Sequence, residues 1–135
     1  MKNYLFLLAL LLLSSCGEKE NKDIQARLVK QPDNSSFMLD TINTSKWDSV
    51  YIMHPYQYSN IEKCLPYLSD KLKKKFKEAA KFDAFCTLIF VRDQKVVDYS
   101  YIKRDAADFS SLNVSLGYSS KQNYQIVAYR KIRTI

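Results

Sequence analysis

Glycine is scarce in this chain, with two among 135 residues, Gly17 and Gly117. That scarcity leaves no glycine-rich loop to cradle a phosphate and no G-x-S-x-G turn to expose a nucleophilic serine. Histidine occurs once, at His54, so a zinc site built on paired histidines is excluded. The three cysteines, Cys16, Cys64 and Cys86, never form a C-x-x-C pair. No internal repeat is visible, and no apolar run reaches the about 20 residues that a membrane-crossing helix needs. These absences imply no cofactor and no metal, and they rank a binding module ahead of an enzyme.

What is present begins at the amino end with MKNYLFLLALLLLSSC: one lysine, an apolar run from Leu5 to Leu13, then Ser14 and Ser15 before Cys16. A charged start, a short apolar run and small residues, in that order, predict a cleaved signal peptide over 1–15. Leu13-Ser14-Ser15-Cys16 resembles the lipobox of bacterial lipoprotein precursors. The resemblance implies lipidation of Cys16, cleavage before it and a membrane tether; the competing reading is an ordinary signal peptide in which Cys16 is incidental. Gly17 stands where an inner-membrane lipoprotein often has aspartate, which points to the outer membrane of a cell envelope. The acidic-and-lysine stretch that follows resembles surface-export signals, so periplasmic and external faces stay open.

Residues 16–35 continue as polar sequence rich in both charges, with Pro32 and Asn34 near the end. Such composition buries little apolar surface, and the stretch is expected to be a lipidated flexible tether. A short helix from Asp23 to Lys30, with Ile24 and Leu28 on one side, is the alternative there. Residues 36–135 suffice for one domain with a single core.

Alternation predicts five strands: 37–42, 47–53, 85–91, 96–102 and 123–132. On the second, Trp47, Ser49, Tyr51 and Met53 share a face, with Asp48, Val50, Ile52 and His54 on the other; on the fourth, Val97, Tyr99 and Tyr101 are placed together. Phe85 to Val91 is apolar on both faces and belongs mid-sheet, and Arg92-Asp93-Gln94-Lys95 turns the chain into the next strand. Between the second and third strands, Ile61, Leu65, Leu68, Leu72, Phe76 and Ala80 mark one helical stripe. Ser59 and Glu62 have capping-box spacing, and Pro66 kinks or restarts the helix with Ser69 as cap. The expected fold is α+β: a single two-layer domain, a mainly antiparallel sheet of about five strands and one principal helix.

Three features carry functional candidates. The helix contains Lys71, Lys73, Lys74, Lys75, Lys77 and Lys81, either a solvated outer face or an electrostatic patch for an anionic surface or acidic partner. Loss of Lys2 with the signal peptide lowers the formal charge from +7 to +6, which suits such partners; nucleic acid is not expected in an envelope. Cys64 and Cys86 allow a disulfide, two buried free thiols, or a catalytic thiol needing a base nearby. KWDSVYIMHPYQYS, Lys46 to Ser59, gathers the only tryptophan and histidine; burial explains most of it, and His54, Tyr56 and Tyr58 stay candidate binding residues. Asp105 and Asp108, in DAADFSS, read as caps of a helical turn.

The spacing W-D-x-V-Y-I-x-x-P-Y at Trp47 to Tyr56, followed by L-I-F-V-R-D-Q-K-V-V-D-Y at Leu88 to Tyr99, is similar to a recurrent pattern in small bacterial secreted and lipoprotein sequences. There a WDxVYxxxPY segment precedes an FVxxxKVVxY hairpin. Such sequences often carry glycine or threonine around the Pro-Tyr, where His54 and Gln57 stand here. The resemblance implies no activity and transfers no catalytic residue. Two functions go forward: a non-enzymatic, membrane-tethered binding module, accessory or immunity-type, and a small hydrolase or ligand-binding enzyme using His54 with Asp48 or Tyr51.

Overall fold

The computed structural model describes residues 19–135; the expected signal peptide and the expected lipidation at Cys16 lie outside the described residues. The elements are α1 (Asp23–Val29), β1 (Ser36–Met38), α2 (Leu39–Ile42), β2 (Ser49–Met53), α3 (Tyr58–Cys64), α4 (Asp70–Ala79), β3 (Phe85–Arg92), β4 (Lys95–Lys103), β5 (Tyr118–Ser119), β6 (Asn123–Ile126), a 3-10 turn (Ala128–Arg130) and β7 (Ile132–Thr134). They form one α+β domain. Strand pairing is antiparallel throughout, but it makes two sheets rather than one, ordered β4-β3-β2-β5 and β1-β6-β7.

The four-stranded sheet separates two cores. Val50, Ile52, Cys86, Leu88, Phe90 and Ile102 face α1, α2 and the smaller sheet, where Leu28, Phe37, Tyr124 and Ile132 complete the packing. Met53, Ile89, Val91 and Tyr99 face α3 and α4, which bring Ile61, Leu65, Leu72 and Phe76. The expected two layers are therefore the α3/α4 half, and the smaller sheet adds a third.

The main helix breaks where Pro66 falls, and α4 restarts with the Ser69 hydroxyl accepting the Leu72 N–H at 3.2 Å. The Ser59 box does not form: α3 starts at Tyr58, which places Ser59 inside its first turn. Of the strand expected over 37–42 only Phe37 and Met38 form one, within β1, because after Met38 the chain turns helical to bury Leu39 and Ile42. Strand 123–132 is interrupted at the 3-10 turn, where Tyr129 and Arg130 take φ of 58° and 59°.

Two face assignments are corrected. Trp47 precedes β2 and packs edge-to-face on Phe90, centroids 4.9 Å apart, in the core opposite Met53. At Val97 the β3–β4 register slips by one residue, so Phe90 pairs with Asp98 but Val91 with Val96. The extra residue is a β-bulge, and it sends Val97 to the other core from Tyr99. The turn at Asp93 and Gln94 forms with φ of 50° and 57°, the positive pair of a type I′ hairpin. Gly117 lies against Tyr51, and an added Cβ would sit 2.8 Å from its ring.

The largest correction concerns the expected tether. Its described part, from residue 19 on, is folded into the domain: α1 buries Ile24 and Leu28 completely. The preceding residues cover the free edge of β4. Asn21 N–H donates to Tyr99 O at 2.8 Å, and the Glu20 and Gln25 side chains accept from Tyr101 and Lys103 N–H at 3.3 and 2.8 Å. Two apolar residues one turn apart outweigh polar composition when a core lies within reach. Leu28→Ala should accordingly cost about 2–5 kcal/mol, read as a lowered urea midpoint; an unchanged midpoint would restore the tether.

Candidate functional site

The lysine helix α4 gathers most of the sequence candidates. Leu72, Phe76 and Ala79 point inward, so the lysines between them are carried on the remaining arc. Lys75 lies along the sheet, its Nζ donating to the Tyr99 hydroxyl at 3.2 Å and standing 5.8 Å from that ring's centroid. Lys81 pairs with Glu78 at 2.8 Å. The hydrogen bond from Lys81, reinforced by the charges of Lys74 and Lys77, holds the Glu78 carboxyl below its ordinary range.

Open clefts flank the helix on both sides. One, of about 390 Å³, is lined by Lys74, Lys75, Glu78, Ala79, Phe82, Phe85 and Tyr101. Its floor is part of a row of rings running inward: Phe82 to Phe85 at 6.0 Å, Phe85 to Tyr101 at 5.3 Å, Tyr101 to Tyr99 at 5.6 Å, and Tyr99 to Phe76 at 5.2 Å. Burial, with Tyr99 and Glu20 alongside, pushes the Tyr101 hydroxyl up to about 12, so it stays a neutral donor. A second cleft of about 280 Å³ shares Phe85 and Tyr101 and continues to Glu20, Lys22, Gln25 and Lys103.

On the other flank, Tyr56, Tyr58, Ser59, Lys77, Ala80 and Lys81 line a cleft of about 320 Å³. Tyr56 has φ of 63°, its N–H caps the α4 end by donating to Ala80 O at 2.6 Å, and the residue is 69% exposed. Burial and the charge of Glu62 raise the Tyr58 hydroxyl above its ordinary value. The structure thus joins Tyr56, Tyr58 and Lys77 in one cleft and Lys74 and Lys75 in another; Lys71 and Lys73 sit on α4 but line none of the three. Phe82, Phe85, Tyr101 and Lys22 belong to this surface although the sequence reading did not select them. The exposed Phe82 directly after the lysine run was the one local signal.

His54 stands apart, across the sheet. It follows the Met53–Thr87 pair, and that register sets it opposite the buried Cys86. Asp108 and Arg104 are close by, paired Nε to Oδ1 at 3.3 Å, and Asp108 also accepts the Ser110 N–H at 3.0 Å, a local cap. Burial alone raises Asp108, yet the Ser110 and Arg104 hydrogen bonds outweigh it and keep the carboxyl below its usual range. Neither Asp48 nor Tyr51, the partners considered for an enzyme, is among the groups acting on His54.

Nor is Cys86 an active thiol: burial first, then the charge of Asp108, pushes it up to about 12. A thiolate in that place would be desolvated and poorly compensated. Cys64 and Cys86 are both free; they belong to opposite cores, Cys64 half-buried at the end of α3, so the disulfide does not form. Among the described residues no group of histidine, cysteine and carboxylate side chains could hold a metal ion. No family model, curated protein or solved structure matches this chain.

The His54 Nε2 is buried with no hydrogen-bond partner. Desolvation lowers the imidazole pKa from 6.5, against the raising effect of the Phe109 main chain and Asp108. Above pH 6.5 folded and unfolded histidine are both neutral and the group contributes nothing. Below it the unfolded imidazole takes a proton that the folded one resists, so stability falls as pH drops through 6.5 toward the depressed folded value. Urea midpoints measured from pH 8 downward should show this loss in the wild type and lack it in His54→Gln; parallel curves would remove the assignment.

Proposed function

We propose that this protein is a membrane-tethered lipoprotein of a bacterial envelope, sited at the outer membrane, whose domain acts as a binding module rather than an enzyme. The observation that supports this reading is the α4 surface: exposed lysines between clefts floored by Phe85 and Tyr101 on one side and walled by Tyr56 and Tyr58 on the other. Cationic head groups around apolar concavities suit an acidic partner that also presents apolar groups, since the charge gives approach and register while the clefts supply contact area. The lysines of α4 are not required by the core, which Leu72, Phe76 and Ala79 complete.

A second reading keeps an enzyme centred on His54. It is favoured by the Asp108–Arg104 pair beside the imidazole and by the unpartnered Nε2. It is weakened by the neighbouring thiol, which stays protonated at physiological pH.

Lys73→Glu/Lys74→Glu/Lys77→Glu, made together, separates the readings. The triple variant should unfold at the wild-type midpoint and lose a salt-sensitive interaction with detergent-solubilised envelope by about tenfold or more. His54→Ala should leave that interaction intact. Equal retention by the triple variant, with a phenotype lost in His54→Ala, would transfer the function to the histidine.

A further inference from the structure

Folding of α1 and the residues before it into the domain shortens the link to Cys16. Among the described residues, contacts with the domain begin at Glu20, whose carboxylate accepts the Tyr101 N–H at 3.3 Å, and at Asn21 on Tyr99. Four residue steps separate Cys16 from Glu20, and a fully extended chain spans at most roughly 14 Å over them. A lipid on Cys16 therefore holds this edge of the domain close against the headgroups.

The surface at that edge is the basic one. Glu20 and Lys22 share their cleft with Phe85 and Tyr101, which also floor the cleft bounded by Lys74 and Lys75. Phe82 and Tyr56 project on either flank of α4, 58% and 69% exposed. We propose that the domain lies face down on an anionic bilayer, with α4 against the headgroups and the Phe82 and Tyr56 rings at the interface. Aromatic rings favour that depth, and lysine stems lie along apolar surface while their ammonium groups reach the lipid phosphates. The attraction is screened by salt. A separate protein partner would have to enter the narrow space that the short link leaves on this side. The inference rests on the lipoprotein reading above.

The test uses the mature, acylated protein carrying Phe82→Trp, with Tyr56→Trp as a second reporter, reconstituted into vesicles containing brominated lipid. Trp47, buried 7% exposed in the core beyond the sheet, gives a constant background. Phosphatidylglycerol vesicles should quench both reporters strongly and phosphatidylcholine vesicles weakly. High salt, or the triple charge reversal on α4, should reduce the difference several-fold. Acylated protein with equal or absent quenching in the two lipids overturns the docking alone. Shielding of the reporters only after an envelope protein extract is added overturns it in favour of a protein partner. Mature protein whose mass lacks acyl chains overturns the lipoprotein reading, and the docking with it.

Discussion

One guanidinium ties the two ends of the domain together. Arg130 donates to Leu28 O at 2.8 Å, Gln31 O at 2.7 Å, Asp33 Oδ1 at 3.0 Å and Ala106 O at 2.8 Å. A planar fork with five donors can serve several acceptors at once, which an ammonium cannot do in the same geometry. The position is reached through left-handed backbone at Tyr129 and Arg130, a conformation that costs on the order of 1–3 kcal/mol per residue unless surrounding contacts enforce it. They do so here: Asp108 N–H donates to Arg130 O at 2.8 Å, and Ile132 N–H to Asp108 O at 2.9 Å. By holding the carbonyl end of α1, Arg130 keeps Ile24 and Leu28 in the core and Glu20 and Asn21 on the edge of β4. The wall of the second cleft follows from that anchorage.

The four-stranded sheet also keeps two chemistries apart. On the α4 side the titratable groups that line the clefts are lysines, tyrosines, Glu20 and Glu78. On the other side lies His54, whose protonation burial opposes, with the 104–112 segment and Cys86 beside it. Acidification therefore weakens the fold through His54, on the side of the sheet away from the α4 lysines.

Much of this was legible along the chain. The hairpin at Asp93–Gln94, the central strand at Phe85, the break at Pro66 and the Ser69 cap are local matters of turn chemistry, apolar run and capping. The misreadings share a tertiary cause. Trp47 fits the alternation of β2, but it leaves the strand to meet Phe90; Val97 fits that of β4, but the bulge displaces it. Residues 19–35 look too polar to order, yet Ile24 and Leu28 find a core completed by β6 and β7, a hundred residues on. The lysines and Tyr56 with Tyr58 could be selected from sequence, whereas the cleft floor could not. Phe82, Phe85 and Tyr101 come from a loop and two strands, and only the sheet brings them together.

The Arg130 anchorage also bears on the order in which the molecule is made. Leu28 and Arg130 are 102 positions apart, so this clamp on the carbonyl end of α1 cannot form until nearly the whole chain has been synthesised. Contacts of such separation form slowly, since loop closure must precede the interactions that reward it. The amino-terminal segment of the domain, the first part to be made, is thus among the last to be secured.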